Sequence, residues 1–171
     1  MMEGLSKLKF LVAVTTPKKS ARLIAAAGRH ARALDAEVVL LRVIPDPSKV
    51  GVIAQLISSG RPQDKANQHI ENMVEQLKGM SVKASGEVRM GAVGDTILTF
   101  ARELKADLIF VGASDPKEKN VFLMRTDPIV DYLVDQSDIS LFVIKGIPLD
   151  SYTDPEDSDE EESQAPPVEQ A

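Results

Sequence analysis

The sequence predicts one α/β domain built on a five-stranded, parallel, doubly wound sheet, followed by an acidic tail. Three observations carry this. Apolar runs of strand length alternate with longer segments of helical period throughout the body of the chain. The first strand, helix and strand fit into about 36 residues, which suits a right-handed parallel crossover. The chain has 171 residues, 43% hydrophobic and 27% charged, enough to bury one core and too few for two comfortable ones.

Lys9–Val14 (KFLVAV) reads as a strand covered on both faces. Thr15, Thr16 and Pro17 mark a helix start, with a threonine available as cap and proline just inside. Residues 18–34 then place Ala21, Ile24, Ala27 or Gly28, Ala31 and Leu34 at helical spacing. Glu37–Ile44 (EVVLLRVI) is a second buried strand, stopped by Pro45, Asp46 and Pro47. Residues 50–59 read as a short apolar helix, and 63–77 as a longer one with Ala66, Ile70, Met73, Val74 and Leu77 on one face. Residues 81–90 form a third strand, whose polar insertions suggest a less buried place. Val93–Leu104 is a helix with Ile97, Leu98, Ala101 and Leu104 inward and Asp95 in its first turn. Residues 107–111 (DLIFV) are a central strand, 127–135 a short helix with Pro128 in its first turn, and 140–144 (SLFVI) a fifth strand. Such sheets bind ligands at the carboxyl ends of their strands, near the switch in strand order. The loops after Val14, Ile44, Met90 and Val111 are therefore the ones to inspect.

Composition excludes several classes. No apolar run approaches the roughly 18 residues of a membrane span, and the N-terminal MMEGLSKLK lacks the apolar stretch of a secretory signal, so no membrane insertion is expected. Without cysteine there is no disulfide, thiol nucleophile or cysteine metal site, and the expected compartment is the cytoplasm. Charge is unevenly divided. From Gly146 onward there are nine acids and no Lys or Arg, leaving seventeen acids against all twenty bases in a body of +3. Residues 7–145 thus read as the domain and 146–171 as an acidic tail. The tail, rich in Asp, Glu, Ser and Pro, buries too little apolar surface to offset its ordering entropy and is read as disordered. A body of only +3, with Tyr132 and the five Phe placed for structure, argues against a nucleic-acid partner.

The run GAVGDTILTFARELKADLIFVGAS, Gly91 to Ser114, resembles the signature half of the universal stress protein family. Gly91, Ile97, Ala101, Ala106, Asp107, Leu108, Ile109 and Gly112 match that pattern, as do the first βαβ unit and the closing strand SLFVIK. The resemblance runs from about Lys7 to Lys145 and implies a Rossmann-like sheet of the adenine nucleotide alpha hydrolase-like type. It further implies that the last strand builds a two-fold dimer, here through Ser140 to Lys145. In nucleotide-binding members an Asp after the first strand contacts adenine and a Gly-x-x-Gly follows the fourth strand. About nine residues later a Gly-Ser or Gly-Thr opens the last helix, whose amides hold the phosphates.

This sequence departs from that pattern at each place. Thr15 stands where the Asp is expected. Ala113, Ser114, Asp115 and Pro116 follow Gly112, so the second glycine is missing. Asp127 and Pro128 align with the Gly-Ser: a carboxylate repels an anion and proline has no N–H to offer. Basic residues occupy the same loops instead, with Lys18 and Lys19 opening the first helix and Lys117, Lys119 and Arg125 after the fourth strand. They are either solvated loop charges or side-chain donors to an anionic ligand. The candidate ligand site is Thr15, Thr16, Val43, Gly112, Ser114, Lys117, Arg125 and Thr126.

Catalytic groupings are sparse. His30 and His69 lie inside predicted helices without a second ligand at metal spacing. Ser114 and Thr126 stand in no nucleophile motif. Asp127, Asp131 and Asp135 form an i, i+4, i+8 stripe that reads as a solvated acidic face. Gly91 to Asp95 lacks the lysine and spacing of a phosphate loop and reads as turn chemistry. The expected protein is a cytoplasmic binding or regulatory module of the stress response: a homodimer with an unknown protein partner, no catalytic residue, no metal and no cofactor. Two other readings follow from the resemblance. One is an ATP-binding member with a Lys/Arg-lined phosphate site and weak hydrolysis, the other an accessory domain acting with a transporter. Residues 157–162 of the tail are expected to cover the basic loops transiently.

Overall fold

The computed structural model describes residues 6–46, 62–114 and 127–147. The expected helix over 50–59, the loop residues Lys117, Lys119, Arg125 and Thr126, and the tail from 148 lie outside the described residues.

The elements follow in the order β1 (Lys9–Val14), α1 (Pro17–Leu34), β2 (Glu37–Ile44), α2 (Pro62–Gly79), β3 (Ala84–Met90), α3 (Val93–Leu104), β4 (Leu108–Ser114), α4 (Pro128–Gln136) and β5 (Ser140–Ile147). The strands make one sheet in the order β3-β2-β1-β4-β5, with every neighbouring pair parallel. The doubly wound sheet stands as predicted. Strand order reverses between β1 and β4, which places the switch point there.

Alternation along the strands divides the core into two layers. Phe10, Val12, Val38, Leu40 and Phe110 face α1 and α2, where they meet Leu23, Ile24, Ala27, Met73 and Leu77. Leu11, Val39, Leu41, Ile109 and Val111 face α3 and α4, where they meet Ile97, Leu98, Ala101 and Leu133. Residues from Phe10 to Val12 and from Val38 to Leu41 are buried whichever face they take, so these strands read as unbroken apolar runs. In the first layer Phe110 stacks on Phe142 at 4.9 Å, and the His30 ring stands edge-on to Phe142 at 4.7 Å. Nδ1 of His30 also bonds the Ala26 carbonyl at 2.7 Å, so this histidine serves packing. No described helix is long and apolar enough to cross a membrane.

Three helices end in the same way, and one of these ends explains a shifted boundary. Asp35, Ser81 and Lys105 each adopt a left-handed conformation, with φ of 49°, 62° and 55°. The following amide then reaches back: Ala36 to the Ala31 carbonyl, Val82 to Leu77 and Ala106 to Ala101. This is the Schellman closure, with a buried apolar residue after each left-handed one. Val82 consequently belongs to the end of α2, so β3 starts at Ala84 and not at 81. At the other end of the sheet β4 and β5 run to Ser114 and Ile147, because their pairing continues through an irregularity at Ala113/Ser114. Gly146 and Ile147 therefore belong to the fold, two residues past the predicted boundary.

Candidate functional site

β1 and β4 are paired from Phe10↔Leu108 to Val12↔Phe110, while β1 runs on to Val14 and β4 to Ser114. The ladder between them thus stops before either strand does, and the carboxyl edge opens at the switch point. Thr15 and Thr16 leave β1 at this edge. Val14 pairs with Arg42, which brings Thr15 level with Val43 of β2, and Gly112 of β4 pairs with Ile144 on the far side. The structure thus gathers Thr15, Thr16, Val43 and Gly112 on one rim. Ser114 ends β4 on the same rim. Val43 is half-buried against the α3–α4 layer.

The turn after β1 is tied internally. Ser20 Oγ accepts the Thr15 amide at 2.9 Å, and the two hydroxyls lie 3.5 Å apart. Thr16 occupies the N-cap position of α1 with Pro17 next, yet its hydroxyl caps no amide, contrary to the expected role. Its Oγ1 is buried without a hydrogen-bond partner among the described residues, and the turn is closed instead by the Ser20 amide on the Thr16 carbonyl at 2.9 Å. Lys18 is exposed, whereas Lys19 is buried and engaged, so the two lysines do not form one solvated pair.

The start of α4 decides the electrostatics of the rim. Asp127 is the N-cap and Pro128 the first helical residue. Oδ1 of Asp127 accepts the Ile129 amide at 3.1 Å and the Val130 amide at 3.4 Å. The two free donors that a helix start would offer a phosphate therefore already hold a carboxylate belonging to the chain, and Pro128 contributes none. Asp127 consequently leaves the acidic stripe predicted with Asp131 and Asp135: its oxygen turns into the helix end.

Two supports were not legible as site features. Gly94 is inside α3, as the helix over 93–104 requires, and there an added Cβ would meet Tyr132 Cδ1 at 2.3 Å. The Tyr132 ring lies over Gly94 and its hydroxyl donates to Asp95, which raises the tyrosine pKa, chiefly through that bond. Gly91 does form the turn, with φ +147° and its amide on the Ile44 carbonyl at 3.0 Å. Arg89 joins β3 to α3: its guanidinium bonds Glu87 and Glu103, both at 2.7 Å, and stands 4.2 Å from the Phe100 ring centre. The Glu87 bond, with Glu103, raises its pKa further. His69 of α2 contacts Arg42 of β2 through Nδ1. Among the described residues no three His, Asp or Glu side chains converge as a metal site would require.

Comparison with known proteins places this architecture. The universal stress protein from Archaeoglobus fulgidus in complex with dAMP superposes with a TM-score of 0.61 at 15% identity, covering 82% of this chain and 100% of that one. A universal stress protein in complex with cAMP gives 0.61 and 15%, covering 82% and 98%. The universal stress protein UspA from Lactobacillus plantarum gives 0.65 and 19%, covering 82% and 99%. At such identities these likenesses establish the fold. No curated protein sequence matches the chain. The model of the universal stress protein family matches residues 8–145, from the start of β1 into β5. By that match, which reaches all five strands and the four described helices, the chain belongs to the universal stress protein family.

Proposed function

We propose that the protein works as a binding and regulatory module of the stress response, without catalysis and without phosphate binding by the last helix. The observation that carries this reading is the Asp127 carboxylate on the Ile129 and Val130 amides, followed by Pro128. Two universal stress proteins of this fold are in complex with dAMP and cAMP, which supports a small ligand of nucleotide type as a reference for this rim. In this chain a phosphate approaching α4 would meet a fixed negative charge and no free donor. Thr15 supplies a neutral side chain where the resemblance calls for an Asp, and its amide is committed to Ser20. The rim is suited to a ligand or peptide that does not depend on a phosphate cradle.

Titration calorimetry and thermal melting with ATP–Mg²⁺ test the reading. A ligand present at 100 times its dissociation constant would stabilise the fold by about 2.7 kcal/mol. The expected result is no saturable heat and no shift in Tm at millimolar ATP. Micromolar binding would instead establish the reading with a Lys/Arg-lined phosphate site.

Assembly belongs to the same proposal. β3 and β5 are the two sheet edges, and they are built differently. β3 carries Glu87 and Arg89, charges that deter pairing with another chain. β5 presents Leu141, Phe142, Val143 and Ile144, all half-buried, with no charge before Lys145. An isologous pair through Ser140 to Lys145 would complete their burial.

A further inference from the structure

α1 carries a long cationic face with no counter-ion among the described residues. The helix contains no acidic residue, and its exposed cations Lys18, Arg22, Arg29 and Arg32 recur at i, i+4, i+11 and i+14. At about 100° per residue these positions fall within roughly 80° of one another, in a stripe about 21 Å long. Leu23, Ile24, Ala27 and Ala31 occupy the opposite side against the sheet. None of the four cations forms an ion pair with a described residue, whereas Lys7, Lys78, Lys83, Arg89 and Arg102 each do. Such a face is unfavourable in isolation. Lys18 and Arg22 are like charges one turn apart, and Lys18 sits in the first turn, where the helix dipole is already positive.

The path of the chain indicates what covers the stripe. Gly146, at φ +83°, lies against Arg22: an added Cβ would come within 2.4 Å of Arg22 Nη1. The sheet's last strand therefore ends at Ile147 beside the stripe. The residues that follow hold nine acids and no base. We propose that the acidic segment Asp154 to Glu162 docks along Lys18, Arg22, Arg29 and Arg32 of its own chain and shields that face from acidic protein partners.

Lengths and charges agree with this assignment. Six residues separate Ile147 from Asp154, and the seven Cα steps span up to about 23 Å, whereas Arg22 and Arg32 are only about 15 Å apart along the helix. Tethering supplies an effective concentration in the millimolar range, so exposed and individually weak pairs suffice to populate the contact. The occupied face shares Lys18 with the basic loops that the sequence suggested, but it follows α1 to Arg32 instead of crossing to the loop after β4. An acidic partner reaches α1 only by displacing the segment, which makes it an intramolecular competitor.

The absence of cysteine makes the test clean. A nitroxide on S158C in the full-length chain should broaden the amide signals of residues 18–32 at about 20 mM salt. The effect should fade by about 0.5 M, where screening shortens the range of the charges to a few ångströms. The full-length variant R29E/R32E, altered only at exposed positions, should lose the broadening at low salt while keeping the remaining spectrum. Sharp α1 signals at low salt would overturn the proposal, as would broadening spread evenly over the surface. Broadening seen only when label and isotope reside on different molecules would also overturn it, in favour of contact with a second copy.

Discussion

Oδ1 of Asp127 lies 3.1 Å from the Ile129 amide nitrogen, so α4 begins with its own carboxylate in the place of an anion. The bond links chemistry and stability, since an N-cap aspartate both satisfies orphan donors and offsets the positive helix end. Replacing Asp127 with Ala should cost about 1 kcal/mol and lower Tm by about 2–4 °C. Urea unfolding followed by circular dichroism measures it. An unchanged midpoint would mean that the cap contributes nothing.

Lys105 ends α3 in a left-handed conformation that side chains disfavour, and it is exposed. Lys105→Gly should therefore stabilise the protein by about 0.5–1 kcal/mol, despite the larger entropy of glycine in the unfolded chain. A rise in the denaturation midpoint at constant slope is the expected result. A fall would show that the lysine side chain contributes more than its backbone strain costs.

Tyr132, Gly94 and Asp95 act as one latch between α3 and α4. Gly94→Ala pushes a methyl into the ring and should destabilise by about 1–3 kcal/mol. Most of that cost should vanish when Tyr132 is already Ala, and a double-mutant cycle reads the difference. The hydroxyl gives an independent signal. Because the folded pKa of Tyr132 lies above 10, its contribution is complete below that pH and is lost as pH rises through the folded value. Ultraviolet titration should show a late phenolate step that disappears in Tyr132→Phe and moves earlier in Asp95→Asn. A titration unchanged by Asp95→Asn would dissociate the shift from that bond.

Much of the fold was legible because strand and helix periods alternate cleanly. Val93–Leu104 stands to the residue as predicted, and the other described helices shift by one or two residues. The misplaced start of β3 has a specific cause: Ser81 takes the left-handed position where the usual signal is glycine, and Gly79 stays inside the helix. Of the rim, Thr15 and Gly112 could be placed from strand order alone. The Asp127-Pro128 pair was legible as a loss for phosphate binding. Its positive role was also present in the sequence, since Asp before Pro is a strong helix-start signal. By contrast, Gly94 and Tyr132 are separated by 38 positions, and nothing local to either announces the other.

The two edges of the sheet predict the assembly. Sedimentation velocity at micromolar concentration should give a dimer. Val143→Pro removes an N–H from β5 and should yield monomer or misfolded protein. Val143→Lys places a charge on the same edge without removing that donor, and should yield folded monomer. A monomeric wild-type protein would contradict pairing through β5.

The central claim concerns the start of α4, and the amides of Ile129 and Val130 report on it directly. Their chemical shifts can be followed while ATP–Mg²⁺ is added to the full-length protein up to a few millimolar. Both should stay fixed, because each amide is already bonded to Asp127. Saturable movement of both signals, with micromolar affinity, would show that the carboxylate gives way to a phosphate and would contradict the account.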